Sequence, residues 1–192
     1  MTHVDERLLA PVIARFGAPA EWDASREVGE RERDSIARSG RSQRQHDVTF
    51  AVEREGMLAV IRKPQFPAGA WRIPSGGIDR GETFDEGAQR EALEETGLEI
   101  ELTGYPLVAR SVFTHRGERL PWVTHVVTAR TTSGGELAPR DREEIEDARW
   151  MGWDELTGPV AKTLRGSGGA LFAYRAELHE RLVQILGVSR PF

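Results

Sequence analysis

The chain has 192 residues, 39% hydrophobic and 30% charged, with no cysteine and a net charge of −5. That suits one compact domain with extensions and excludes a disulfide framework, a thiolate metal site and a cysteine nucleophile. No apolar run nears the ~20 residues of a spanning helix, and Met1–Glu6 does not resemble a secretory signal, so the expectation is a soluble cytoplasmic protein with no membrane partner. The acidic balance argues against nucleic acid as a partner. All basic residues but Lys63 and Lys162 are arginines, whose planar fork suits phosphates, yet they are spread along the chain as codon bias would spread them.

In chain order, Leu8, Leu9, Val12, Ile13 and Phe16 recur at helical spacing before Gly17. Glu21 to Gly40 is rich in charge, with Glu27/Arg31 and Asp34/Arg38 at i,i+4, and reads as a solvated helix, a dimer arm or a lid. Val48, Phe50 and Val52 alternate as in a strand, Arg54–Gly56 turns, and Met57–Ile61 is a continuous apolar strand. Trp71–Ile73 reads as a short strand, Glu99 to Arg110 and Leu120 to Thr131 as longer ones, and Arg116–Glu118 as a turn. A polar loop from Ser133 to Glu146 precedes a last strand, Ala148 to Trp153. Helices follow over Trp153 to Leu164 and Ala170 to Leu186, the second with Leu171, Tyr174, Leu178, Leu182 and Ile185 as its stripe. Strands mixed with helices in this order predict a sheet covered on its faces.

Residues 72–98 carry the chemistry. Pro74-Ser75-Gly76-Gly77 ends a strand in a tight turn where a ligand can approach the backbone. Thr83-x-x-Glu86 is a capping box, so a helix starts there, and Gly97 stands where a helix ends. On that helix Glu91, Glu94 and Glu95 fall within about 100° of arc. Like charges so placed repel, and a divalent cation is the natural compensation; hard carboxylate oxygens suit Mg²⁺ or Mn²⁺, which usually bridge to substrate phosphates.

The order Gly76, five residues, Glu82, seven residues, then Arg90-Glu91-Ala92-Leu93-Glu94-Glu95-Thr96-Gly97-Leu98 resembles the Nudix box, Gly-x5-Glu-x7-Arg-Glu-U-x-Glu-Glu-x-Gly-U with U a bulky aliphatic. All seven fixed positions match, on the order of one in a hundred thousand by chance at average composition; Ala92 is small for a U position. Met57–Ile61, Trp71–Pro74 and Arg149–Leu156 resemble the strands and the tryptophan-bearing element that flank the box. The resemblance covers roughly residues 47–160 and implies an α/β/α sandwich with a mixed central sheet. Residues 1–46 and the C-terminal helix lie outside it, so the chain divides into a helical N-terminal extension, residues 1–46, and a domain over residues 47–192 that ends in that helix. The resemblance also implies divalent-metal-dependent hydrolysis of a nucleoside diphosphate linked to another group.

By position, the resemblance makes Glu91, Glu94 and Glu95 metal ligands, joined by the Ser75 or Gly76 carbonyl. It makes Glu82 and Arg90 the pair that holds the box. The general base is a box glutamate, Glu91 first, or the loop acid Glu144, six residues before Trp150. Arg62, Lys63 and Arg72 flank the turn as phosphate contacts or as solvated strand-edge cations, with Gly76 and Gly77 as further substrate contacts, while Trp71, Phe113 and Trp122 are core aromatics or base-stacking surfaces. His115 and His125 read as strand-end histidines. The substrate stays open among ADP-ribose and sugar nucleotides, nucleoside triphosphates and dinucleoside polyphosphates. The alternatives are a nucleotide-sensing module without turnover and an RNA 5′-end pyrophosphohydrolase. The apolar stripe of the N-terminal segment is expected to be buried either in a homodimer or against the domain's own open face.

Overall fold

A computed structural model describes Val4 and residues 6–41 and 45–188. Helix α1 (Glu6–Phe16) leads to strand β1 (Ala20–Glu27) and helix α2 (Glu30–Arg41). Strands β2 (His46–Arg54), β3 (Met57–Arg62) and β4 (Ser75–Gly76) precede helix α3 (Phe84–Thr96). Long strands β5 (Ile100–His115) and β6 (Glu118–Thr131) and the short β7 (Asp147–Gly152) follow. Helices α4 (Trp153–Glu155), α5 (Ala161–Gly166) and α6 (Ala170–Leu186) complete the chain, with a π-helical turn (Leu156–Val160) between α4 and α5.

The sheet is mixed, in the order β1-β5-β6-β2-β3-β7, with β4 beside β2. Strands β1 and β5 run parallel, as do β6 and β2, and the remaining neighbours are antiparallel. Alternation along the central strands divides the core between two faces. Val48, Phe50, Val52 and Ala59 meet α3 and α1 on one side. Ala51, Leu58 and Val60 meet α2, the π turn, α5 and α6 on the other. This is the sandwich that the sequence implied. No helix among the described residues is long and apolar enough to cross a membrane.

The splay of β2 from β3 places the turn that bears the chemistry. The two strands pair only at Glu53↔Leu58 and Arg54↔Met57. Beyond that, the returning chain wedges between them: Arg72 bridges Ile61, then Ser75 and Gly76 pair with Thr49 and Val48. The expected strand at Trp71–Ile73 is therefore a single bridge. The strand proper lies two residues further on, because β2 leaves open donors and acceptors there.

The N-terminal segment is not uniformly helical. Residues 20–27 form an edge strand, with Trp22 buried, Ala24 and Arg26 half-buried and the residues between them exposed. The period is 2, not 3.6. The expected pair Glu27/Arg31 does not form because Glu27 belongs to β1, and Asp34 pairs with Arg33 instead of Arg38. Helix α1 buries Val12 and packs Leu9 and Phe16 against the domain's own open face, with Arg15 joined to Asp85 of α3 at 2.6 Å. Leu9, Val12 and Phe16 of its stripe are thus satisfied within the chain, while Ile13 stays exposed. Strand β1 is fastened to α6 by the stacked rings of Trp22 and Tyr174, 5.3 Å apart, and by the ion pair Arg26–Glu177.

Two smaller expectations also change. The helix after β7 contains a π turn around Pro159, whose missing N–H cannot continue an α ladder. Ile185 stays exposed, so the buried stripe of α6 ends at Leu182 and Val183.

Candidate active site

Helix α3 is fixed at both ends by local chemistry. Thr83 and Glu86 close the capping box, and Gly97 ends the helix at φ 78°, in the left-handed region. Thr96 hydroxyl bonds back to the Ala92 carbonyl, and the carbonyl of Glu94 accepts from the backbone N–H groups of Arg140 and Asp141, at 2.9 and 3.1 Å. Those last two bonds tie the loop before β7 to the end of the helix.

Arg90 and Glu82 form a two-pronged pair, Nε to Oε1 at 2.7 Å and Nη2 to Oε2 at 3.0 Å. Arg90 also donates to the Gly77 carbonyl at 2.9 Å, and Glu82 accepts from the Asp79 N–H at 2.7 Å. The Arg90 guanidinium, helped by that N–H, holds the Glu82 carboxyl below its usual range despite some burial. The pair fastens helix to turn.

The three box carboxylates face different partners. Glu91 accepts from the Gly77 N–H at 2.8 Å, and Arg90 stands 3.1 Å away. Burial raises its carboxyl above the ordinary value and the nearby charge of Glu95 adds to that, while Gly77 and Arg90 oppose it. Glu95 is buried and accepts from the Ser75 N–H at 2.9 Å and from Arg72 at 3.1 Å, with the Lys63 ammonium at 3.4 Å. Glu94 is half-exposed and meets Arg90 at 3.2 Å. A side chain at Gly76 has no room, because its Cβ would overlap the Glu91 carboxyl group. Among the described residues no three acidic or histidine side chains already converge as a metal cage. The donor set nonetheless fits a hard divalent cation: carboxylate oxygens on one helix face opposite a turn backbone, with Glu91 partly buried and incompletely compensated.

Glu144 lies in the loop before β7, where Asp141 accepts from the N–H groups of Glu143 and Glu144. Its carboxylate is exposed and is bound by the Lys63 ammonium, which therefore spans Glu144 and Glu95. The loop acid and the box thus meet through one lysine. Arg62 goes elsewhere, to Glu146 at 2.9 Å. Arg72 is no solvated strand-edge cation: it is buried and donates to Ser75 Oγ, the Ile73 carbonyl and Glu95.

Lys63, Arg72, Ser75 and Glu144 share a cleft of about 680 Å³. Trp122 is half-buried in its wall, with its Nε1–H donating to Asp47 at 2.9 Å, whereas Trp71 is core and Phe113, although buried, also borders the cleft. Arg175 of α6 lies on the cleft as well; burial pulls its guanidinium down to about 10, and Arg72 adds to this. Nothing in the sequence singled it out, since only the apolar stripe of α6 was legible. His179 supports the turn from below by accepting from the Ile73 N–H at 3.4 Å, and burial pushes it down to about 3. His125 is buried within β6, bonded to the Tyr105 hydroxyl at 2.6 Å, and pushed down to about 4 by burial; it is a neutral core group, not a strand-end one.

The model of the NUDIX domain family matches residues 43–172. An RNA pyrophosphohydrolase of Cereibacter sphaeroides is 28% identical over 124 residues, which cover 57% of this chain and 75% of that one. The NAD-capped RNA hydrolase NudC of Stutzerimonas stutzeri is 31% identical over 140 residues, 73% of this chain and 45% of that one. Among solved structures, a MutT NUDIX hydrolase from Burkholderia pseudomallei is 27% identical with a TM-score of 0.45, covering 57% of this chain and 84% of that one.

Proposed function

The chain belongs to the Nudix family and is a pyrophosphohydrolase of that family, and we propose that it uses Mg²⁺ or Mn²⁺ to split the pyrophosphate bridge of a nucleoside diphosphate joined to a second group. Nudix hydrolases use divalent metals, and the hard oxygens of Glu91, Glu94, Glu95 and the Gly76 carbonyl are the donors proposed here. Bound there, the metal would neutralise the diphosphate and acidify a water.

The chain's own residues then divide the work. Lys63 and Arg72 bring positive charge to the cleft where the diphosphate lies. Glu82 and Arg90 hold the helix to the turn, so that Gly77 keeps Glu91 in place. Glu144 takes the proton from the attacking water as its oxygen bonds to phosphorus and the P–O bond of the bridge breaks. Glu91 is the alternative base.

The observation that carries this reading is the Lys63 bridge between Glu95 and Glu144, which brings a loop carboxylate beside the box. The test is a substrate panel: ADP-ribose, sugar nucleotides, dinucleoside polyphosphates and nucleoside triphosphates with Mg²⁺ or Mn²⁺, beside Glu95→Gln. Turnover by the wild type and its loss in the variant support the reading, whereas nucleotide binding without turnover identifies a sensing module. The relatives that act on RNA favour a second reading, hydrolysis at an RNA 5′ end, and a 5′-triphosphorylated oligonucleotide in the panel decides it. A cytoplasmic homodimer completes the proposal, and light scattering on the full chain reads its mass.

A further inference from the structure

The cleft has a wall that the box does not account for. Arg31, Ser35 and Arg38 sit at i, i+4 and i+7 on α2, one face of that helix, and all three line the cleft. Arg175 lines it from α6. None of these three arginines has a hydrogen bond or ion pair among the described residues. Glu32, Asp47, Glu143 and Glu144 line the same cleft, and Asp47 and Glu95 offset part of the Arg175 charge. No carboxylate among the described residues bonds to the three arginines, so an anionic ligand would join cations that otherwise repel one another. Apolar ring surface stands in the same wall: Phe66 and Phe172, edge to face at 5.0 Å, and Trp122.

Helix α2 does not hang loose over this cleft. Glu32 accepts from the Leu171 N–H of α6 at 2.8 Å and from the Gly29 N–H at 3.0 Å, clipping the start of α2 to the start of α6. Arg31 and Arg38 precede residues 43–172, and Arg175 follows them, so all three lie outside the matched segment.

We propose that this wall is a second subsite, which takes the far half of the substrate and selects one that is itself a nucleotide, its phosphate on Arg31, Arg38 and Arg175 and its base against Trp122, Phe66 and Phe172. The substrate class is then two nucleosides joined through a polyphosphate bridge. A nucleoside triphosphate has no second base for this wall, and a sugar nucleotide has neither a second base nor a further charge. A cleft of about 680 Å³ is within the range of ordinary ligand sites. This inference rests on the pyrophosphohydrolase reading for its substrate, but not for its binding test.

That test is calorimetric titration of the full chain with AMP, adenosine and ribose 5-phosphate in EDTA. AMP is expected to bind at least tenfold tighter than either fragment, because only it offers both base and phosphate. Arg175→Gln, and separately the double variant Arg31→Ala/Arg38→Ala on the exposed face of α2, should each weaken AMP at least tenfold. In steady state with metal, the double variant should lower the ratio of kcat/KM for diadenosine tetraphosphate over ADP-glucose at least tenfold, through KM. Equal binding of AMP and adenosine, or a ratio unmoved in the double variant, overturns the subsite. If the wild type turns over no pyrophosphate substrate, the enzymatic reading fails while the EDTA titration still decides the subsite. If a 5′-triphosphorylated oligonucleotide outpaces diadenosine tetraphosphate and alone depends on Arg31 and Arg38, the dinucleotide assignment is overturned in favour of RNA.

Discussion

Oε1 of Glu95 receives the guanidinium of Arg72 at 3.1 Å, and both side chains are almost wholly buried. The pair joins α3 to the segment wedged between β2 and β3, so a candidate metal ligand is also part of the fold's fastening. Removing one member of a buried ion pair leaves the other uncompensated, at about 3–5 kcal/mol.

Arg72→Met should therefore lower stability by about 3 kcal/mol, read as a shift of the urea midpoint. Arg62→Met removes a partly exposed pair with Glu146 and should change it by no more than about 0.5 kcal/mol. Equal effects from the two would mean that Glu95 draws its stabilisation from Ser75 and Lys63 alone.

Gly76→Ala places a methyl group where the Glu91 carboxyl lies. Either the turn or Glu91 must move, at about 1–3 kcal/mol for overpacking. Hydrolysis should drop at least tenfold even where the variant is still folded, checked by assay beside a denaturant melt. Wild-type activity would show that the position of Glu91 beneath the turn is immaterial to the chemistry.

The Glu91 carboxyl is raised by burial, so the folded chain holds that proton more tightly than the unfolded one does. Its contribution to stability is present below the ordinary carboxylate range and lost as pH rises through the folded value. In EDTA at neutral pH, Glu91→Gln should then be more stable than the wild type, and the gap should close towards about pH 4. Millimolar Mn²⁺ should reverse the order by stabilising the wild type, by about 2.7 kcal/mol at a hundredfold excess over Kd. Melting curves across pH, with and without metal, check both halves.

Glu144 and Glu95 should separate kinetically. Glu95→Gln removes a charge from the proposed donor set, so turnover and metal affinity should fall together. Glu144→Gln should keep metal affinity and KM near the wild type while kcat falls by roughly 10²–10⁴, with partial recovery at high pH as hydroxide replaces the base. Full activity across pH in Glu144→Gln moves the base to Glu91. Loss of metal affinity there would make Glu144 a ligand.

Helix α3 and the Glu82–Arg90 pairing were legible because their determinants are local: a capping box, a terminal glycine and fixed spacings between Gly76 and Gly97. Strand β1 was not legible. The charges at i,i+4 that run from its end into α2, Glu27/Arg31 and Asp34/Arg38, imitate one solvated helix, whereas Trp22, Ala24 and Arg26 alternate along an edge strand with one covered face. Propensity yields there to pairing with a strand about 87 positions away, from Ala20 to Leu107. Arg175 was hidden for a related reason, since its place on the cleft depends on how α6 packs across the sheet and not on any spacing within α6.

That distant pairing has a consequence for how the protein is made. Strand β1 leaves the ribosome before its partner: Leu107, paired with Ala20, is synthesised 87 residues later. At about 5–20 residues per second, the nascent chain carries this strand unpaired for roughly 4–17 s. Trp22 must wait longer still for Tyr174 to stack on it. Strand β1 is thus born before β5 and α6 and docks only once both have been made. Chain-length-dependent protection of Trp22 on stalled ribosomes would follow that order directly.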